Sequence, residues 1–177
     1  MDVLVVVDMQ KDFVDGALGT AEAVAIVPHV IGRIEAGIEK GETILFTRDT
    51  HFPNYMDTLE GKNLPVPHCV FESEGWEIIP ELQKFAEGRE IINKPTFGSP
   101  MLGNALRDLN EKEEIKKITF IGLCTDICVI SNALMAKGYL WEAEVAVDAK
   151  CCAGVTPESH KTALAAMKPC QITIENE

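Results

Sequence analysis

The chain is short of positive charge. Lys and Arg number 16 against 28 Asp and Glu, a formal net charge of −12 at pH 7. It therefore has no basic excess to offer phosphates, and neither nucleic acid nor an anionic membrane is an expected partner. No apolar run is long enough to span a bilayer, and the first residues do not follow the pattern of a secretory signal, so a cytoplasmic location is expected. There is no internal repeat, low-complexity block or linker-like stretch among the 177 residues, so one domain over 1–177 with one sizeable core is expected. The C-x-x-C spacing of a redox pair is missing too. Of the six cysteines, Cys124 and Cys128 have three residues between them, and Cys151 and Cys152 are neighbours, which rarely bridge comfortably. In a reducing compartment such cysteines are mostly small buried hydrophobes. Cys128 alone has a local setting that overturns this.

What is present is an ordinary globular composition, 46% apolar and 25% charged, with strands and helices alternating along the whole length. Residues 3–7 are apolar and β-branched and read as a central strand ending at Asp8. A loop over 9–20 follows. A helix over 21–40 comes next, in which Pro28 is tolerated only near the start, and then a strand over 43–47. Residues 52–71 read as irregular, and 76–85 as a short helix weakened by Pro80. A strand over 90–92 runs into Asn93-Lys94. After a helix over 101–109 and a solvated connection over 111–117 comes the strand 118–121. A fifth strand over 144–147 ends at Asp148, Thr156-Pro157 starts a last helix, and 171–174 closes the chain as a strand. This order predicts a three-layer, doubly wound α/β fold with a mostly parallel six-stranded sheet and helices on both faces. In such sheets ligands bind beyond the carboxyl ends of the strands, near a reversal of strand order. Asp8, Asp49, Lys94 and Cys128 each stand at or just after a predicted strand end, so four strands deliver four polar residues to one edge.

The turn Gly122-Leu123-Cys124-Thr125-Asp126-Ile127-Cys128 leads from a buried strand into a helix. With Thr125 or Asp126 as cap, Cys128 falls in the first turn. There the free N–H groups and the helix dipole favour a thiolate and suit an oxyanion. Asp8, desolvated at a strand end, can take the thiol proton and hand it to a leaving amine. Lys94 would keep carboxylate and thiolate in register, and the N–H groups of Cys124 and Cys128 would hold the oxyanion. Acyl transfer to sulfur followed by hydrolysis suits this set. Each residue taken singly also reads as a turn cap or a solvated charge; their convergence is what matters.

A second group is Asp49 and His51, at i and i+2 on one side of extended backbone, with His68 behind the stiff Pro65-Val66-Pro67 and Glu60 as a further oxygen. One carboxylate and two imidazoles suit a divalent ion, and zinc, iron and manganese are all compatible; no organic cofactor is implied. Local hydrogen bonding of the same residues is the other reading. His29 and His160 lie in predicted helices and read as structural.

With these residues in hand, the chain resembles the isochorismatase-like cysteine hydrolases, and within them the nicotinamidase/pyrazinamidase branch, over nearly its whole length. Val5-Val6-Val7-Asp8-Met9-Gln10-Lys11-Asp12-Phe13 is similar to the family's opening strand and D-x-Q-x-D-F signature, Asn93-Lys94 to its lysine, and the 122–129 turn to its nucleophile turn. The resemblance implies that Asp8, Lys94 and Cys128 are the catalytic set, that the 123–124 peptide bond is cis with the Cys124 N–H in the oxyanion hole, and that Phe13 packs on a substrate ring. Thr47-Arg48-Asp49-Thr50-His51 with Pro67-His68-Cys69-Val70 is similar to the metal motif of the nicotinamidase branch. It implies an ion on Asp49, His51 and His68 that positions the substrate rather than activating water. Pro65 stands where the pattern often has Trp, and Pro95-Thr96-Phe97-Gly98-Ser99-Pro100 departs from the usual aromatic-small-aromatic run. Both bear on substrate identity more than on reaction class.

The resemblance implies a metal-assisted cysteine amidohydrolase that converts nicotinamide to nicotinate and ammonia in pyridine nucleotide salvage. It also implies a small-molecule amide as partner and a homo-oligomer. Three other readings are a cysteine hydrolase of another small amide, ureido or isochorismate-like substrate, a metalloenzyme whose ion activates water, and a binding protein that kept the fold.

Overall fold

The least polar strand lies in the middle of the sheet. In the computed structural model, which describes residues 1–177, the chain runs β1 (Asp2–Val7), α1 (Lys11–Val14), α2 (Ala21–Lys40), β2 (Thr43–Asp49), α3 (Leu59–Asn63), α4 (Pro80–Ala86), β3 (Ile91–Lys94), α5 (Pro100–Lys112), β4 (Lys117–Leu123), α6 (Ile130–Tyr139), β5 (Glu144–Ala153), α7 (Pro157–Met167) and β6 (Ile172–Glu175). The six strands are ordered β3-β2-β1-β4-β5-β6 and every pairing is parallel. The expected mostly parallel sheet is thus wholly parallel. Alternate residues of β1 point to opposite faces. Val3, Val5 and Val7 pack with Leu102, Ala133 and Leu164, from α5, α6 and α7. Leu4 and Val6 pack with Ile34 and Leu82, from α2 and α4. Both faces are covered, which is why β1 is apolar throughout. No helix is long and apolar enough to cross a membrane.

The chain steps outward from β1 to β2 and β3, then returns to the other side of β1 for β4 and steps outward again. The reversal therefore lies between β1 and β4, and the crevice it opens is flanked by Asp8 and the turn after Leu123. Gly122 makes that approach possible. Its φ is +112°, and a Cβ there would stand 2.1 Å from the Val7 carbonyl oxygen.

Several expected boundaries are corrected. The loop over 9–20 contains α1, and the irregular 52–71 segment contains α3 and a 3₁₀ turn at Tyr55–Asp57. Pro28 lies well inside α2, beyond its first turn. The Val24 carbonyl that loses its donor is on an exposed face, where water can replace it. Pro80 does not weaken a helix but starts one, at the position where a missing N–H costs nothing. The solvated connection shortens because α5 runs to Lys112. Asp148 does not end β5, which continues to Ala153. The strand stays buried beyond Asp148, through Ala149 and then Cys151 to Ala153, with only Lys150 exposed. Thr156 and Pro157 start α7 as expected, and Thr156 forms a capping box with Ser159.

Candidate active site

Four neighbouring strands end at the same place. Asp8 follows β1, Asp49 closes β2, Lys94 closes β3, and the turn after β4 carries Cys128. The Lys94 and Asp8 side chains are wholly buried, and Cys128 nearly so. The Lys94 ammonium sits 2.6 Å from Asp8 Oδ2, 3.3 Å from Cys128 Sγ and 3.6 Å from Asp49 Oδ1, and donates to the Thr96 carbonyl at 3.2 Å. Three residues far apart in sequence thus meet around one nitrogen.

Asp8 is held by one oxygen and left open at the other. Thr47 Oγ1 donates to Oδ1 at 2.6 Å, and the Asp8 N–H reaches Thr47 Oγ1 at 3.2 Å. The backbone here is left-handed, φ +48°, a conformation Asp tolerates better than most residues. Oδ2 lies against the ammonium but receives no aligned hydrogen bond. It is ion-paired yet free to accept a proton. Burial pushes the Asp8 carboxyl above its ordinary value, Lys94 opposes this, and the Asp49 charge adds to it. A carboxyl moved in that direction is a better base than a free aspartate.

The helix cap expected at Thr125 or Asp126 is corrected. Cys128 lies in a π-helical turn, Thr125–Val129, that precedes α6, with Cys124 at its cap position. Thr125 and Asp126 are inside the turn and are not caps. Thr125 Oγ1 bonds His160 Nδ1 at 2.8 Å, and the Asp126 carboxylate accepts the Val155 N–H at 3.1 Å. Burial, joined by the charge of Asp8, pushes the Cys128 thiol well above its ordinary value, and Lys94 only partly offsets this. The sulfur thus has a base and a counter-charge at hand, Asp8 Oδ2 beside the ammonium and Lys94 Nζ 3.3 Å from Sγ. Burial also pushes Cys124 up, to about 12. Lys94 moves the other way from a desolvated amine: burial alone would lower it, but Asp8, Cys128 and Asp49 together raise it, so it stays an ammonium. The Leu123–Cys124 peptide bond is cis, as the resemblance implies.

Beside this group stand the expected metal ligands. Asp49, His51, His68 and Glu60 each point one ligand atom into a common space, all within 4.8 Å of one another. Asp49 Oδ2 is 2.9 Å from His51 Nε2 and 3.5 Å from His68 Nε2, and Glu60 Oε1 is 3.5 Å and 3.8 Å from the same two nitrogens. His68 Nδ1 faces the Val66 carbonyl at 2.8 Å; its proton belongs there, which leaves the Nε2 lone pair for the cluster. Asp49 Oδ1 is buried with no donor. Two imidazoles and two carboxylates converging on one space fit a divalent cation. Burial would raise the Asp49 carboxyl, but the neighbouring His51 and His68 imidazoles and the Lys94 charge hold it well below the usual range. Burial opposes protonation of His68, and Asp49 outweighs it. Tyr55 flanks both imidazoles, with ring centroids 4.7 Å from His51 and 5.1 Å from His68. Phe13 stands 5.4 Å from the His68 ring and lines the same cavity as Cys128, where a substrate ring was expected.

Three positioning residues carried no assigned role in the sequence reading. Gln10, wholly buried, accepts the Asp49 N–H at 2.7 Å and donates to the Asp49 and Trp76 carbonyls. Asp12 accepts the Cys69 N–H at 2.8 Å, fixing the residue after His68. Both lie in the D-x-Q-x-D-F signature, which was the available signal. Asn132 accepts the Ser99 N–H and donates to the Phe97 and Cys128 carbonyls, tying the segment after Lys94 to the cysteine turn. Nothing in its local sequence announces this. Of the histidines read as structural, His160 braces Thr125, and His29 is exposed on α2.

A family model for the isochorismatase domain matches residues 2–176. The chain is similar to the pyrazinamidase of Pyrococcus horikoshii solved in complex with zinc, with 32% identity, 98% of this chain and 97% of that one covered, and a TM-score of 0.83. The nicotinamidase/pyrazinamidase of Bacillus subtilis superposes with a TM-score of 0.83 at 25% identity, covering 99% and 100% of the two chains. The nicotinamidase of Schizosaccharomyces pombe is 24% identical over 206 residues, covering 98% of this chain and 92% of that protein.

Proposed function

The chain belongs to the isochorismatase family of hydrolases, and from that membership we propose that it is a metal-assisted cysteine amidohydrolase acting on nicotinamide. The observation that carries the reading is the Lys94 ammonium touching both Asp8 Oδ2 and Cys128 Sγ inside a sealed edge of the sheet, with the four-donor cluster alongside.

Asp8 Oδ2 takes the proton of the Cys128 thiol as Sγ attacks the amide carbon. The carbon–sulfur bond forms, and the carbonyl π electrons move to oxygen. The N–H groups of Cys124 and Cys128 hold that oxyanion; one such donor is worth roughly 10²–10³ in rate. Asp8 returns the proton to nitrogen, the C–N bond breaks, and ammonia leaves a thioester. Water then gives a proton to Asp8 and adds to the thioester carbon. The carbon–sulfur bond breaks, and the sulfur recovers the proton. Lys94 stays protonated throughout and balances whichever of Asp8 or Cys128 carries the charge. Asp49, His51 and His68, with Glu60, are the residues that would hold a divalent ion. When bound, that ion supplies a positive centre for the ring nitrogen. Phe13 packs on the ring.

The test is ammonia release from nicotinamide by the zinc-loaded protein, with Cys128→Ala alongside. Release by the native chain and none by the variant is expected. A metal-replete native chain that releases none overturns the substrate, and turnover by Cys128→Ala overturns the nucleophile.

A further inference from the structure

The cavity above Cys128 measures about 640 Å³. A water takes about 30 Å³, and a ring bearing one carboxamide displaces roughly five of them. Most of the cavity is therefore left over once such a ring reaches the sulfur. The remaining wall is mostly apolar, with Thr20, Asn63 and Thr96 as its uncharged polar side chains. Leu59 and Leu64 come from α3 and its end, Phe97 from the segment after β3, and Val155 from the turn before α7. These four stay accessible at the mouth, at 78%, 39%, 45% and 51% exposure respectively. Large apolar side chains gathered at the mouth of a reactive cleft mark a surface that a ligand covers.

The charged lining is equally selective. No Lys or Arg lines the cavity, and the acids that do are Asp49 and Glu60. Lys94 lies wholly buried against Asp8. A divalent cation on the cluster only balances the two carboxylates. An anionic substituent would lose its water here without gaining a cation.

We propose that the site is built for uncharged aromatic carboxamides whose ring carries an alkyl or aryl substituent, with that substituent lying on Leu59, Leu64, Phe97 and Val155. Unsubstituted nicotinamide is then the under-filled member of the series. The inference rests on the amide-hydrolysing reading above and deepens it.

The experiment measures kcat/KM for ammonia release by the zinc-loaded full chain. The substrates are nicotinamide and derivatives bearing methyl, propyl, phenyl or carboxymethyl at the ring carbon meta to both the amide and the ring nitrogen. The expected result is a rise of about threefold per added methylene, reaching at least tenfold for propyl and phenyl, and a fall for carboxymethyl. Leu59→Asp and Val155→Asp, both at exposed positions, are expected to collapse the propyl-to-hydrogen ratio toward one. If nicotinamide is hydrolysed and the propyl and phenyl compounds are no better, or carboxymethyl is preferred, the inference falls and the nicotinamidase reading stands. If none of the series releases ammonia, the nicotinamidase reading itself falls, and the inference with it.

Discussion

The two halves of the sheet end differently. On the β3-β2-β1-β4 side, four adjacent strands stop at one edge and each hands over a charged or nucleophilic group. On the β5-β6 side, β5 runs through Asp148 to Ala153, and its register with β6 pairs Asp148 with Glu175. Each half holds a sealed cysteine and a buried acid with an oxygen lacking a donor: Cys128 and Asp8 in the first, Cys152 and Asp148 in the second. Burial pushes both thiols well above the ordinary value. The difference is the cation. Lys94 Nζ touches Cys128 Sγ and Asp8 together, whereas the Cys152 thiol points at the Phe120 carbonyl and Asp148 accepts from Asn176. Desolvation by itself makes an inert thiol. A reactive one needs a base and a counter-charge sealed in with it.

The comparison is broken most severely at the two cysteines. Cys128→Ala is expected to lower ammonia release by about 10⁴-fold or more, and Cys152→Ala to leave it within about twofold; equal losses would remove the distinction. The acids come next. Asp8→Asn is expected to cost roughly 10³-fold, within the range for a positioned base, and Asp148→Asn almost nothing. The same acid sets a pH limb. Because burial raises the Asp8 carboxyl and the reaction needs it ionised, log kcat/KM should fall as pH drops through a midpoint above the usual carboxylate value of about 4. A limb at the ordinary value would contradict the desolvated base. For the metal cluster, His51→Ala should abolish tight zinc binding as measured by mass spectrometry of the desalted protein. His160→Ala, on the other side, should retain the metal and lose only a few-fold in rate through a looser Thr125 brace. Full zinc retention in His51→Ala would remove that ligand.

Much of the site was legible before any coordinates. Asp8, Asp49, Lys94 and Cys128 follow apolar runs, and a parallel sheet sends every strand's carboxyl end to the same edge. Asp148 also follows an apolar run, but it is itself buried within the strand, which continues through small residues to Ala153. The cap before Cys128 was misplaced because a helix N-terminus is a local cue, while the π-helical turn that carries the cysteine is packed against elements from elsewhere in the chain. Gln10 and Asn132 went unassigned because their partners lie up to 66 and 35 residues away.

The amino-acid order alone determined which runs form strands, and that an acid, a lysine and a cysteine would share an edge, because period and chain direction are local properties. Tertiary structure decided which oxygen of Asp8 stays open, that a lysine ammonium sits against the sulfur, and how far the cavity extends beyond it. Charge state and free volume depend on what packs around a group, and that is set by neighbours far away in the chain.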